Sequence, residues 1–540
     1  MIEGVDVTAK RGVVAADPPE AARVGARVLE AGGNAMDAAS AASMACCMLQ
    51  PGSTGVGGYV CCGVVLEGDT GKVWSVDANS IAPAAAHENM YELVSDNGRA
   101  SLNRSEYHCS VQDDANVYGP LAVGVPGMMA GMGIVWERWG RLEWADIVAP
   151  SQRLLAEGFP YAKTANHISA KEEVIRRFPA TATHLMPDGK VPNAEDVWHR
   201  PDMEKTLERV AAAGWRDFYE GEIGRKIVGH IRQTGGVLAL EDMASYEPRI
   251  TEPYTTKWGD AVVSSPILTN GSITALQVLN MVEALGLPED DAANHWHLYA
   301  EILKLAWRDR LRYLADPDFV DVPVDRLLSR DYAFGRVESI RQFPVHVDRR
   351  VPQDGPEPPD GTLHVSAADT DGNVVGLTIS QGGAFGSCVT VPGTGIILGH
   401  GMCRLDPRPG RANSVAPRKR PLNNTGNMMI RIPDRDIAIG LPGGRRIKNV
   451  TARAAYLILE RGYTGHQAAI APRMHVETCE PVQILDTVDQ EMVEELRAMG
   501  HEVEVVSGVA GCMNCAEYLK AEGVVRGGSN TSVAGIDRQQ

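Results

Sequence analysis

Positive charge and long apolar runs are both scarce in this chain. It has 52 Lys and Arg residues against 69 Asp and Glu residues, which gives a formal net charge of −17 at pH 7. Nucleic acids and anionic membrane surfaces both favour an excess of Lys and Arg, so neither is expected as a partner. No apolar run reaches the ~18 residues of a membrane-spanning helix, and residues 1–7 lack the basic and apolar regions of a secretory signal. We therefore predict a cytoplasmic protein.

Motifs for metals and nucleotides are incomplete. The C-x-x-C motif at residues 512–515 has no second pair at metal-ligand spacing, whereas zinc sites normally use about four ligands. Cys46-Cys47 and Cys61-Cys62 lie in apolar runs and are typical of small buried hydrophobic residues. The glycine cluster at residues 52–59 lacks the Lys-Ser/Thr ending of a phosphate loop. We therefore predict no metal and no cofactor.

Helical patterns are frequent in the first two thirds of the chain. Residues 13–49 predict a strand and two helices, of which the second is rich in alanine and capped by Asn34. Further helices are predicted at residues 201–213, 223–235 and 298–314, where apolar residues recur at helical spacing. Several short strands are predicted in the last third. With 44% hydrophobic residues, the chain can bury a large core.

The rest of the sequence is organised around a predicted hairpin that opens with Thr362. Apolar residues alternate with polar or small ones over residues 363–368, residues 370–373 supply a turn, and residues 374–380 predict the return strand. Before the hairpin, residues 350–359 contain four prolines, a glycine and acidic residues. This composition excludes helix and sheet and predicts an exposed connector.

A threonine at this place suggests a chemical role. Its hydroxyl becomes a nucleophile when its own α-amine serves as the base, which requires cleavage of the chain just before it. A flexible loop that ends in Asp-Gly-Thr suits such a cleavage. Most Gly-Thr pairs after a loop have no chemical role, so these residues alone leave both interpretations open.

The residues around the hairpin resemble the γ-glutamyltransferase (γ-glutamyltranspeptidase) family. The resemblance is carried by residues 362–369, Asp371-Gly372-Asn373, Phe385-Gly386-Ser387 and Leu441-Pro442-Gly443-Gly444, and it extends over nearly the whole chain. Members are N-terminal nucleophile (Ntn) hydrolases, which are made as one precursor and cut into two subunits.

This resemblance implies the fold and the subunits. The expected fold is α+β, a four-layer αββα sandwich formed jointly by both subunits. The large (α) subunit would be residues 1–361, ending with the connector at residues 350–361, and the small (β) subunit would be residues 362–540. The two subunits of one precursor would be each other's partners, and a homodimer or an (αβ)2 assembly is compatible with this organisation.

The resemblance also implies catalytic roles. Thr362 would be the nucleophile, and its freed α-amine, which titrates near about 8, would take the hydroxyl proton. An acyl-enzyme would form, and water or an amine would release it. Gly443 and Gly444 would donate backbone N–H groups to the oxyanion, and Ser380 would support the α-amine. By the residues alone, Pro-Gly-Gly is a common turn and Ser380 is an ordinary strand hydroxyl.

The expected substrate-binding residues depart from the family pattern. Where the family has an arginine for the substrate α-carboxylate, the nearest residue is Glu88, and where it has an aspartate for the α-amino group, this chain has Arg404. A family asparagine becomes Gly382, and a Ser-Ser pair becomes Asn423-Asn424. His400 is a further candidate for the pocket lining. Because misplaced charges cost binding free energy, a standard γ-glutamyl donor is disfavoured.

The leading hypothesis is a self-processing N-terminal threonine amidohydrolase that cleaves a small-molecule amide, with a carboxylate or carbonyl of the acyl group facing Arg404. In a competing interpretation, Glu88 and Arg404 form a salt bridge that closes the pocket. The alternatives for function are a true γ-glutamyl hydrolase or transferase acting on glutathione-like compounds, and a non-catalytic relative that serves in binding or assembly.

Overall fold

The computed structural model describes residues 1–94, 109–289, 291–342 and 360–537, and these residues form a mixed fold of helices and strands. The connector predicted at residues 350–359 lies outside the described residues. The strands in these ranges are β1 (Ile2–Ala9), β2 (Gly12–Ala15), β3 (Val60–Leu66), β4 (Val73–Asn79), β5 (Phe159–Pro160), β6 (Val197–Trp198), β7 (Arg249–Thr251), β8 (Tyr254–Trp258), β9 (Ala261–Ser265), β10 (Asp360–Asp369), β11 (Val374–Gly383), β12 (Val389–Val391), β13 (Ile396–Leu398), β14 (Met428–Arg431), β15 (Arg435–Gly440), β16 (Met474–His475), β17 (Val482–Leu485), β18 (Val503–Val506), β19 (Asn514–Leu519) and β20 (Val524–Ile536).

Thirteen of these strands form one antiparallel sheet. Their order is β7-β4-β3-β11-β10-β2-β20-β19-β15-β14-β9-β8, and β1 also pairs with β20. Strands from before residue 343 alternate in this order with strands from after residue 359. Neither part of the chain therefore forms the sheet alone.

The long strand β20 joins two stacked halves of this sheet. Its residues 524–529 pair with β19, whereas residues 533–536 pair with β2. Strand residues from the two halves meet in one apolar cluster, which includes Val64 and Val374 from one half and Ala438 from the other. The sheet thus packs against itself as two layers.

Helices cover the outer faces of both layers. One apolar cluster joins helices from the first 250 residues to β2, β3, β10 and β11, and a second joins later helices to β9, β14 and β15. This arrangement is the αββα sandwich that the resemblance implied. None of the helices within the described ranges is long and apolar enough to cross a membrane. The helices are α1 (Pro19–Glu30), α2 (Ala35–Leu49), α3 (Met128–Trp139), α4 (Trp144–Glu157), α5 (Lys163–Arg176), α6 (Pro179–Leu185), α7 (Pro201–Ala213), α8 (Asp217–Glu220), α9 (Glu222–Gln233), α10 (Leu240–Ala244), α11 (Ile273–Leu285), α12 (Ala292–Tyr313), α13 (Val324–Leu327), α14 (Arg330–Gln342), α15 (Ile447–Arg461), α16 (Gly465–Ile470) and α17 (Gln490–Ala498).

Local sequence signals located most elements but misjudged some lengths. The helix predicted at residues 201–213 is α7, and Asn34 caps α2 as expected. Helix α12 begins six residues before the predicted 298, because the Asp291 side chain accepts the Asn294 N–H at its N-terminus. Strand β20 has 13 residues, whereas only short strands were predicted in the last third, since the small and polar residues in its second half lack apolar alternation.

Candidate active site

Thr362 lies near the start of β10, buried between neighbouring layers. Its side chain pairs across the hairpin with Ser380 of β11, and the register shifts by a bulge between Gly361 and Thr362. Only 7% of Thr362 is exposed. Because alternate residues of a strand share a face, Thr362 points to the same side as His364. His364 lies against Gly440 of β15, so Thr362 faces the opposing layer.

Ser380 is the centre of a hydrogen-bonded group around Thr362. Its Oγ donates to the Gly361 carbonyl oxygen at 2.6 Å and accepts the Gly382 N–H at 2.9 Å. The distance from Ser380 Oγ to Thr362 Oγ1 is 2.9 Å. A hydroxyl has one proton to donate, and Ser380 gives its proton to Gly361. Thr362 Oγ1 is therefore the donor to Ser380 Oγ.

Gly443 and Gly444 follow β15 in the layer that contacts His364. Their φ angles are +146° and +55°, a region that favours glycine. Gly444 opens a short helical turn, Gly444–Arg446, that leads into α15. The first N–H groups of such a helical segment have no intrahelical acceptor, which suits the turn to holding a negative oxygen.

His364 is a residue of the site to which the sequence assigned no role. Its Nδ1 lies 2.9 Å from Thr378 Oγ1, and its Nε2 lies 2.9 Å from Ser366 Oγ. Complete burial lowers the pKa of His364 to about 3, so the imidazole is neutral near pH 7. The only signal in the sequence is its position, two residues after Thr362 on the same strand face.

Arg404 lies beside the end of the hairpin. Its Nη2 is 3.5 Å from the Gly382 carbonyl oxygen, two residues beyond Ser380. The side chain is half-buried at the end of the turn Gly401–Arg404. The structure therefore places this positive charge close to the predicted nucleophile.

His400 is buried and bonded through both ring nitrogens. Its Nε2 accepts the Gly383 N–H at 2.6 Å, and its Nδ1 lies 3.2 Å from the Val117 carbonyl oxygen. Burial, together with the positive charge of Arg404, lowers the pKa of His400 to about 3. The neutral ring therefore donates from Nδ1, and it fixes the chain just after β11.

Glu88 lies in a segment that packs against the Arg404 segment. Ala86 and Tyr91 share an apolar cluster with Met402. The Glu88 side chain itself is exposed, and among the described residues it forms no ion pair with Arg404.

Asn423 and Asn424 are both buried but differ in how their amides are bound. Asn423 donates from Nδ2 to Asn270 Oδ1 at 2.8 Å, and its Oδ1 accepts the N–H two residues ahead. Asn424 Oδ1 accepts from Lys448 Nζ at 2.6 Å and from Arg310 Nη2 at 3.0 Å. Its Nδ2 has no hydrogen-bond partner among the described residues.

Comparisons with known proteins agree with this geometry. The family model of gamma-glutamyltranspeptidase matches residues 21–536. The Acylase ACY 1 proenzyme of Pseudomonas sp. (strain V22) is 33% identical over 526 residues, which cover 95% of this chain and 90% of that protein. The Glutathione hydrolase proenzyme of Bacillus subtilis (strain 168) is 30% identical over 522 residues, which cover 92% of this chain and 86% of that protein. The crystal structure of cephalosporin acylase from Bacillus halodurans superposes with a TM-score of 0.86 at 27% identity, and the match covers 98% of this chain and 97% of that one.

These matches confirm the family and the fold that the residues around Thr362 indicated. The relatives carry the names of an acylase and a hydrolase and are called proenzymes, which supports an enzyme of the Ntn amidohydrolase type made as a precursor. On the match over residues 21–536, this chain belongs to the gamma-glutamyltranspeptidase family.

Proposed function

We propose that this chain is a self-processing amidohydrolase whose nucleophile is Thr362. The observation that carries the proposal is the hydrogen-bonded group formed by the Thr362 hydroxyl, the Ser380 hydroxyl and the Gly361 carbonyl. A nucleophile, a proton acceptor and the carbonyl of the bond before Thr362 are thus within reach of one another. This geometry supports cleavage between residues 361 and 362 into a large and a small subunit.

The self-cleavage follows from the direction of these hydrogen bonds. Thr362 Oγ1 attacks the Gly361 carbonyl carbon while its proton passes to Ser380 Oγ, and the Ser380 proton moves to the Gly361 oxygen. The C–N bond then breaks as the Thr362 nitrogen regains a proton from that oxygen, which leaves an ester between Gly361 and Thr362. Water hydrolyses the ester, so Gly361 becomes a carboxylate and Thr362 an N-terminus.

Turnover of a substrate amide uses the new N-terminus. The α-amine of Thr362 takes the hydroxyl proton, and the hydroxyl oxygen attacks the substrate carbonyl. The substrate C–N bond then breaks as the leaving amine takes that proton from the α-ammonium, which leaves an acyl-enzyme. The backbone N–H groups at Gly443 and Gly444 stabilise the oxyanion, and Ser380 holds the α-amine. Water then releases the acid.

The charges around the hairpin favour an acyl group that ends in a carboxylate and lacks an α-ammonium. Arg404 places a guanidinium 3.5 Å from the Gly382 carbonyl, where it attracts a carboxylate and repels an ammonium. Two of the relatives are named acylases, which is in accord with an amide substrate.

The cleavage is tested by the intact mass of the denatured protein. We expect two fragments that separate between Gly361 and Thr362, and one uncut chain for Thr362→Ala. Thr370→Ala removes a hydroxyl at the other end of the same hairpin and serves as the matched control, which should still be cut. A wild-type chain that stays intact on long incubation would contradict the proposal and favour a non-catalytic relative.

The substrate class is tested with two anilides that differ in one group. Glutaryl anilide and γ-glutamyl anilide have the same chain length, but only the second carries an α-ammonium. We expect kcat/KM to be at least about tenfold higher for the glutaryl compound, since a like charge near Arg404 costs more than about 1.4 kcal/mol. Arg404→Ala should raise the KM for glutaryl anilide. A preference for γ-glutamyl anilide would instead support a true γ-glutamyl hydrolase.

A further inference from the structure

A second group of chemically active side chains lies between α12 and the small sheet formed by β16, β17 and β18. His297 and Glu301 are four residues apart on α12 and therefore share one helix face. His501 lies just before β18. The possible ligand atoms of these three residues all lie within 4.8 Å of one another, and all three residues are buried. These atoms are close enough for small side-chain movements to bring them around a single ion.

Glu480 fixes the tautomer of His501 that can bind an ion. Its Nδ1 lies 2.9 Å from Glu480 Oε1, so Nδ1 carries the proton and Nε2 presents a lone pair. Metal-binding histidines are commonly fixed in this way by a carboxylate on the other ring nitrogen. That Nε2 accepts the proton of His297 Nδ1 at 2.9 Å, so His297 has to carry its proton on Nε2 instead before Nδ1 can bind an ion.

The two nitrogens are close to the separation that a tetrahedral ion needs. Zn–N bonds of ~2.0–2.1 Å imply an N–N distance of about 3.3 Å, so the rings need to move apart by only about 0.4 Å. Lys304 Nζ bonds Glu301 Oε1 at 2.6 Å and Glu480 Oε1 at 2.5 Å, so its positive charge is shared by two carboxylates.

We propose that His297, Glu301 and His501 bind one zinc ion. Two imidazole nitrogens and one carboxylate oxygen suit Zn²⁺ better than Mg²⁺ or Ca²⁺, which prefer oxygen ligands alone. Water completes the tetrahedron. The ion links a helix from before residue 343 to a segment from after residue 359, and its binding does not depend on the proposed cleavage. The sequence could not indicate this site, because His501 lies 200 positions from Glu301.

The test begins with wild-type protein that has been dialysed against a chelator. Titration with zinc chloride, followed by gel filtration and elemental mass spectrometry, is expected to retain one zinc per chain. At a hundredfold excess over Kd, zinc should raise the midpoint of thermal unfolding by about 2 °C. No retained zinc would overturn the proposal, and the group would then be a hydrogen-bonded network only.

Single substitutions test which residues bind the zinc ion. His297→Gln and Glu301→Gln keep side chains of similar volume and should each lower zinc affinity at least tenfold. His295→Gln is the matched control, since His295 lies on the same helix but contacts the Pro288 carbonyl and Arg453 instead. Cys512→Ser tests the competing C-x-x-C thiols and should bind zinc normally. Unchanged binding by both Gln variants at 297 and 301, or loss of binding in Cys512→Ser, would refute the site.

Discussion

The ring of His400 occupies the space beside Gly382 that a side chain at position 382 would need. Gly382 has a φ of +102°, and a Cβ built on it would lie 2.1 Å from His400 Cδ2. The imidazole also fixes the Gly383 N–H. The histidine ring therefore fills the space that a side chain at position 382 would need.

We expect Gly382→Ala to destabilise the protein by about 2–5 kcal/mol, because overlap with the ring adds to the strain of a positive φ. Gly393→Ala is the control: Gly393 has a φ of +69° but open space around it, so only strain is added. The measurement is chemical unfolding of both variants. The double variant Gly382→Ala/His400→Ala should lose less free energy of unfolding than the two single variants lose together, by at least about 1 kcal/mol. Strict additivity would rule out the overlap as the cause.

The sequence predicted some of these residues and not others. The two strands of the hairpin were predictable from the apolar alternation and the turn. The pairing of Thr362 with Ser380 was not, because the turn predicted at residues 370–373 would place Thr362 opposite Gln381. The fit of His400 against Gly382 and the bond from Lys448 to Asn424 were not predictable, since each joins segments that no local pattern relates. The donor and the acceptor of each hydrogen bond at Ser380 could be assigned only from the interatomic distances in the structure.

At the scale of elements, the hairpin is held at its turn by Asp369. Its Oδ1 accepts the N–H groups of Asp371 and Asn373, and its Oδ2 accepts the Ala35 N–H at 2.8 Å. Ala35 is the first residue of α2, so one carboxylate joins the turn to a helix N-terminus. The end of the hairpin opposite to Thr362 is thereby anchored on the helix layer.

Asp369→Ala should lower the free energy of unfolding by about 2–4 kcal/mol, since it leaves several buried N–H groups without an acceptor. Asp371→Ala is the control from the same turn. Asp371 pairs with Arg141 at the surface, where both side chains are more than half exposed, and such a pair contributes at most about 1 kcal/mol. Urea unfolding of both variants distinguishes them. Equal effects would show that the carboxylate of Asp369 does not hold the turn.

For the whole molecule, buried histidines determine how stability depends on pH. Burial lowers the pKa of three of them, His184, His364 and His400, to about 3. In the unfolded chain these groups bind protons below about 6.5, whereas in the folded chain they stay neutral. The unfolded state therefore takes up more protons as the solution is acidified, which favours unfolding.

Stability is thus fully present above pH ~6.5 and falls as the pH drops towards about 3, each histidine contributing about 1.4 kcal/mol per pH unit. Buried Asp369 and Glu517 act in the opposite direction, because burial raises the pKa of both carboxyls. Thermal unfolding midpoints measured from pH 7.5 to 4.5 test the balance, and His400→Gln should flatten the curve. A midpoint that is constant over this range would contradict the prediction.

The alternating order of strands in the sheet determines how the proposed subunits behave. Strands β10 and β11 lie between β3 and β2, and β2 in turn lies beside β20. Two fragments produced by a cut before Thr362 would therefore share a continuous ladder of hydrogen bonds. We expect them to elute together in native gel filtration and to separate only in denaturant. Separation under native conditions would mean that the sheet does not hold the cut chain.

Strand β20 also has to be synthesised before the proposed cleavage can occur. A chain that has been translated only as far as residue 523 lacks β20, and without it β2 loses a neighbour and the two layers lose the strand that joins them. The Thr362 hairpin pairs with β2, so its environment is complete only after β20 has emerged from the ribosome. Self-cleavage would then report that β20 has been made and has paired, and a chain that ends before β20 would remain an inert precursor.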